Sequence, residues 1–235
     1  MPITKTDFVR GLQCEKMLWL DAHAPEYKII PPEVQARLDA GNDFGDQAMG
    51  IFGDFVETTT YREDGRLHFS EMLKKTQELL AQGERVICEG AFTWYGNYCA
   101  TDILLREKEG YILYEVKNTD SLREEFLTDL GFQRLLLRKC GVKILACKLI
   151  LRGDTSEEQS DEKVEYVEHG GFRYKIVDVT DRTKKAERLA SDRIFELGKL
   201  KRKDAPLPEI SVGERCEKPY RCWYYEYCHG LCDKN

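Results

Sequence analysis

The sequence predicts a mixed α/β (α+β) fold in which a central mixed sheet is flanked by helices. Three observations predict it. Helix-like segments precede a block of three strand-like runs between residues 85 and 119. Beyond that block, helical and strand signals alternate, as they do when helices cover a sheet. The 235 residues are 42% hydrophobic and 33% charged, enough apolar material for one ordinary core with an appended segment.

The first helical run lies in KTDFVRGLQCEKMLWL, with Thr6 as an expected N-cap and a break near Gly11. Pro31 and Pro32 end that segment. A second helix starts with Pro32 in its first turn, where a missing N–H costs nothing, and carries Val34, Leu38, Phe44 and Ala48. Ser70 is the expected cap of a third helix that Gly83 closes. The block RVICEGAFTWYGNYCATDILLREKEGYILYEVKNT is rich in Val, Ile, Tyr and Phe. Turn signals at Tyr95-Gly96-Asn97 and Glu109-Gly110 divide it into three antiparallel strands. A helix follows from Ser121 to Gly141, then the strands VKILACKLILR and FRYKIVDVT around a polar loop, GDTSEEQSDEK. A last helix from 181 to about 200 presents Ala186, Leu189, Ala190, Ile194 and Leu197 on one face. The expected regions are 1–84, 85–180 and 181–235.

No stretch approaches the roughly 20 apolar residues of a membrane span, and MPITKTDFVRG contains no apolar signal core, so a cytoplasmic protein with no membrane partner is expected. Nine cysteines in a reducing compartment are poorly explained as disulfides. A net charge of −6 argues against coating nucleic acid through bulk charge, but leaves room for a local basic groove beside an acidic metal site.

Asp102 and, thirteen residues on, Glu115 and Lys117 stand on adjacent strands. Glu115 and Lys117 are two apart and share a face, which Asp102 can join. Two carboxylates on a rigid sheet suit Mg²⁺ or Mn²⁺, and a neighbouring lysine suits an attacking water or a charged phosphate. The spacing is loose, and three solvated strand-face residues would produce it equally. Glu89 on the preceding strand could wall the same site. Glu125, Asp129 and Gln133 form one polar stripe on the next helix.

Cys88, Cys99, Cys140 and Cys147 lie in apolar surroundings and read as buried thiols. Cys216, Cys222, Cys228 and Cys232 crowd the last seventeen-residue stretch before the terminal three residues, and Cys14 stands among polar neighbours. Zinc favours closely spaced cysteine pairs, and no Cys-x2-Cys occurs here, so it is the poorer match; iron–sulfur clusters accept wider spacings and a distant ligand.

Taken together, KTDFVRGLQC, the Asp102…Glu115-x-Lys117 pattern and CEKPYRCWYYEYC resemble the RecB-like PD-(D/E)XK nucleases that carry an iron–sulfur cluster, relatives of the CRISPR-adaptation nucleases. The resemblance covers nearly the whole chain. It implies a restriction-endonuclease-like core whose two terminal segments meet at a 4Fe–4S cluster, held by Cys14, Cys216, Cys222 and Cys228, with Cys232 the alternative to Cys216. It implies Asp102, Glu115, Lys117 and Gln133 as catalytic positions, a divalent metal, DNA single strands or ends as substrate, and CRISPR-adaptation or repair proteins as partners. Leu137 replaces the tyrosine expected after Gln133. The early metal-binding histidine is absent, and Asp46 is the candidate substitute. These departures leave a rival reading, a catalytically weak or inactive DNA-end-binding scaffold. The cluster would be structural, and Trp223, Tyr224, Tyr225 and Tyr227 would either stack on bases or pack around it.

Overall fold

The computed structural model describes residues 1–153 and 164–231. Its centre is a seven-stranded mixed sheet in the order β1-β2-β3-β4-β5-β7-β6: β1 (Val56–Glu57), β2 (Val86–Trp94), β3 (Asn97–Glu107), β4 (Gly110–Val116), β5 (Ile144–Arg152), β6 (Val164–His169) and β7 (Phe172–Asp178). β2, β3 and β4 form the expected antiparallel meander, while β1 joins β2 and β5 joins β4 in parallel. β1 and β6 were not legible as strands. The first has two residues, and the second lies on the sheet's outer edge with an exposed polar pattern. Most of the polar loop expected before β7 falls outside the described residues. The boundary drawn at residue 84 falls between a helix and β2, although β1 already belongs to the sheet.

The helices are α1 (Lys5–Gln13), α2 (Glu15–His23), α3 (Pro32–Ala48), α4 (Phe69–Gln82), α5 (Glu124–Lys139) and α6 (Thr180–Lys199). Thr4, not Thr6, caps α1, through a reciprocal box in which Thr4 Oγ1 accepts from Asp7 N and Asp7 accepts from Thr4 N. Gly11 does not break α1; its Cα faces Leu18 and Leu197, and the helix ends at Cys14. His68 and Arg123, not Ser70 and Ser121, precede α4 and α5. Gly83 closes α4 at φ +72°, a left-handed conformation cheap only for glycine.

Strand alternation divides the core in two. Ile87, Leu104 and Leu113 face one side with Phe8, Phe132, Ile194 and Leu197, under α1, α5 and α6. Cys88, Ile103, Tyr114 and Val116 face the other, with Phe44 and Tyr174, under α3. α5 is buried without interruption from Leu130 to Leu137. It crosses α6 so closely that a Cβ on Gly131 would lie 2.5 Å from the Ala186 backbone. The buried stripe of α6 is Thr183, Glu187, Ala190, Ile194 and Leu197; Leu189 is exposed, and Glu187 is buried because Arg134 and Arg138 neutralise it at 2.7 and 2.6 Å. Among the single cysteines, Cys88, Cys99 and Cys147 are buried as expected, whereas Cys140 is exposed and its Sγ lies 3.2 Å from the Thr93 carbonyl.

The two ends of the chain meet. Gln13 Nε2 donates to the carbonyls of Arg215 and Tyr220, Trp19 Nε1 to that of Ala205, and Tyr224 Oη to Asp21, all at 2.8–2.9 Å. Ile29 N donates to the Trp223 carbonyl at 2.8 Å.

Candidate active site and thiol centre

The register that pairs Ile103 with Tyr114 puts Asp102 opposite Glu115, and the one that pairs Cys88 with Ile103 and Gly90 with Thr101 puts Glu89 opposite Asp102. Three carboxylates therefore stand in a row across β2, β3 and β4, on the face that carries Ile87, Leu104 and Leu113. Pairing lapses on both sides of Asp102. Glu89 adopts φ +55°, an uncommon conformation for a non-glycine residue, and its carbonyl accepts from buried Thr58, whose own N–H binds the Cys88 carbonyl. Asp102 Oδ2 accepts the Val116 N–H at 2.6 Å, replacing the ladder bond that β3 no longer supplies.

Glu115 is almost fully buried. Its Oε1 accepts from Lys117 Nζ at 2.7 Å and Lys5 Nζ at 2.9 Å; its Oε2 accepts from Lys5 at 3.2 Å and from Gln133 Nε2. Lys117 is shared with Asp129 at 2.7 Å. Thus Asp102, Glu115, Lys117 and Gln133 come together as expected, and the Asp129–Gln133 side of α5 turns inward. The Oε1 of Gln133, buried, has no hydrogen-bond partner. Asp46 is not brought in: it lies exposed on α3, where the buried stripe of Phe44 and Ala48 faces the sheet and turns Asp46 away. Glu89 is the third carboxylate instead. Lys5 escaped notice in the sequence because nothing local distinguishes a lysine in the first turn of a helix; its partner is 110 residues distant.

Charge and burial act together here. Burial raises the Asp102 pKa, and Glu115 raises it further, against the pull of Lys5 and Lys117. Burial and Asp102 push Glu89 up to about 8. Burial opposes ionisation of Glu115 too, but Lys117 and Lys5 outweigh it and hold that carboxyl below its usual range. Burial works to lower Lys117, and the charges of Asp129, Glu115 and Asp102 overcome it and lift the pKa well above the ordinary value. Lys117 is therefore an ammonium at neutral pH, suited to holding an anion and not to accepting a proton from water.

At the other end of α1 lies the thiol centre. Cys14, which caps α1, joins Cys216, Cys222 and Cys228 around one small cavity with Met17 and Leu20. The Cys232 alternative lies outside the described residues. Cys222 Sγ accepts the Tyr224 N–H at 3.4 Å and touches Met17 Sδ at 3.5 Å. Burial first, and then the neighbouring Cys14, Cys228 and Cys216, push the Cys222 thiol up to about 11. Burial likewise raises the Cys228 thiol; thiols held neutral in this way become thiolate ligands when a positive centre binds them, the donor chemistry that an iron–sulfur cluster uses. The N–H bond to Cys222 is the kind of outer contact that supports a thiolate ligand. Among the described residues no group of three or more His, Cys, Asp or Glu side chains is arranged to hold a metal ion, and this applies to the carboxylate row as well as to the sulfurs.

The tail aromatics pack. Tyr224 is fully buried, Tyr227 lies 4.6 Å from Tyr27, Tyr225 stacks on His229 at 3.9 Å, and Trp223 lies under the Arg10 guanidinium at 3.7 Å. Burial, and then Glu125, raise the Tyr220 pKa, and the Arg37 guanidinium lies 5.7 Å from its ring. No protein-family model matches the chain, and no curated protein matches it. Among the described residues no helix is long and apolar enough to cross a membrane.

Proposed function

We propose that this chain is a metal-dependent DNA nuclease of the PD-(D/E)XK type, with a structural 4Fe–4S cluster joining its two ends. The row of Glu89, Asp102 and Glu115 on one sheet face, with Lys117 beside it, carries this reading. Glu115 is buried and Asp102 and Glu89 are half-buried beside it; acids this close disfavour one another's charge unless a cation binds them, and a sheet holds them at fixed separations. The unpartnered Gln133 Oε1 adds a buried neutral oxygen next to Glu115.

Asp102 and Glu115 would hold Mg²⁺ or Mn²⁺, which when bound polarises a phosphodiester and lowers the pKa of water. Lys117, kept protonated and fixed between Glu115 and Asp129, presents a charge to the phosphate where negative charge develops. Gln133 fixes the Glu115 carboxylate from behind. Cys14, Cys216, Cys222 and Cys228 would hold the cluster, and Gln13, at the end of α1, clamps the tail on both sides of Cys216. Closing a loop of some two hundred residues in this way limits the unfolded chain, an effect on the order of several kcal/mol in the loop-entropy picture. With the tail aromatics packed, Lys117 is the basic group at the carboxylates that would meet the DNA. With Glu115 buried and Lys5 of α1 closed over it, a flexible single strand or a frayed end would reach the site more readily than an intact duplex.

The test is cleavage of end-labelled single-stranded DNA by anaerobically purified protein, with Mn²⁺ or Mg²⁺ and with EDTA, beside the Asp102→Asn protein. Cleavage that needs the metal and Asp102 is expected. Equal cleavage by Asp102→Asn, or none by the wild type under any metal, would sink the nuclease reading.

A further inference from the structure

We propose that Lys5 is a tethered competitor for the divalent cation: its ammonium holds the place on Glu115 that the cation must take. The proposal rests on the reading that Asp102 and Glu115 bind a metal, and deepens it.

A carboxylate offers about four acceptor positions. On Glu115 all are filled: Lys117 and Lys5 on Oε1, Lys5 and Gln133 on Oε2. A cation can coordinate Glu115 only after one donor withdraws. Gln133 is fully buried within α5 and has no room to leave. Lys117 is held from its other side by Asp129. Lys5 has no hydrogen-bonded or ion-paired side chain other than Glu115 among the described residues, and it sits in the first turn of α1. Its flexible four-carbon stem can swing the ammonium into water. Lys5 is the donor that yields.

Two consequences follow. In the absence of metal, Lys5 neutralises a carboxylate that would otherwise be under-compensated beside Asp102. In its presence, the displaced ammonium remains tethered nearby and repels the cation, so the site binds metal more weakly than its carboxylates alone would allow. α1 also ties this residue to Cys14, nine positions on, so the same helix carries the competitor at one end and a thiol of the second centre at the other.

The experiment is a calorimetric Mn²⁺ titration of the full-length, iron-loaded protein as wild type, Lys5→Met and Lys5→Arg. Methionine keeps the length and helix propensity and removes the charge. Lys5→Met is expected to bind Mn²⁺ at least about tenfold more tightly, and Lys5→Arg as weakly as wild type or more so. Unchanged or weaker binding by Lys5→Met overturns the proposal, as does absence of Mn²⁺ binding in every protein. If Lys5→Met fails to fold, judged by circular dichroism and iron content, the wild type still decides. After reductive ¹³C-methylation, the Lys5 amine signal should move to a solvent-exposed shift on adding Mg²⁺, and a stationary signal overturns the proposal. Tight Mn²⁺ binding by Lys5→Met without DNA cleavage would defeat the nuclease reading and leave the role of Lys5 standing.

Discussion

Lys5 Nζ lies 2.9 Å from Glu115 Oε1, so the first turn of the first helix closes on the last strand of the central meander. Together with Lys117 it makes Glu115 a carboxylate with two ammonium partners, while Asp102 across the ladder has a backbone N–H as its close donor. The two acids expected to share a metal therefore differ in what they do for the metal-free fold.

Asp102→Asn should leave the metal-free protein at least as stable as wild type. The amide oxygen can still accept from Val116, and a repelled charge is gone. Glu115→Gln should lower stability on the order of 2–3 kcal/mol, because it strips partly buried Lys5 of its ion-pair partner and leaves Lys117 to Asp129 alone. Urea unfolding in EDTA measures both. A stable Glu115→Gln protein would show that the lysines relocate freely.

Lys117→Met should sharply slow cleavage while iron content remains normal, since the side chains paired with Lys117 are Glu115 and Asp129, outside the thiol centre. Loss of one preorganised charge at a developing anion costs about a hundredfold or more in rate. A single-turnover assay beside iron analysis checks it, and a rate within twofold of wild type would remove Lys117 from the chemistry.

Glu89 makes the metal-free fold sensitive to pH. Its carboxyl titrates near 4.5 when unfolded and near 8 in the fold, where burial and Asp102 disfavour the charge. Between those values the folded protein holds the extra proton, so this contribution to stability is intact below about 4.5, falls as pH rises, and is exhausted above about 8. Thermal unfolding in EDTA should show a declining melting temperature across that range, and Glu89→Gln should flatten it. A parallel decline in both proteins would place the responsible group elsewhere.

Relief of backbone strain gives an independent check on Glu89. At φ +55° glycine is favoured over glutamate by about 1 kcal/mol, and Glu89→Gly also deletes a repelled carboxyl. The variant should be more stable than wild type and less active. Destabilisation would mean that Glu89 contributes a contact worth more than its strain.

For the thiol centre, Cys14→Ser and Cys222→Ser should each lose iron and sulfide, whereas Cys140→Ser, exposed and remote from the cavity, should retain near-full content. Protein purified anaerobically from iron-replete cells gives the measurement. Stoichiometric zinc without sulfide in the wild type would replace the cluster by a different centre.

Local pattern alone determined the β2–β4 meander, because alternating Val, Ile and Tyr between turn residues leaves few other solutions, and the Pro32 start of α3 and the Gly83 end of α4, because those residues act through their own backbone. Spacing also sufficed for Glu115 and Lys117 to share a face, since a strand has a period of two. Tertiary structure decided the rest. Asp46 and Asp129 are both acids on amphipathic helices, and only packing distinguishes them: α3 turns Asp46 to solvent, and the close Gly131–Ala186 crossing turns Asp129 onto Lys117. Glu187 was hidden as a core residue because its neutralising arginines lie on another helix. Lys5 reaches the carboxylate site from near the start of the chain, 110 residues from its partner Glu115. Hydrophobic periodicity reports which face of an element is buried; it carries no record of which distant charge that face meets, because that depends on the angles at which helices cross the sheet.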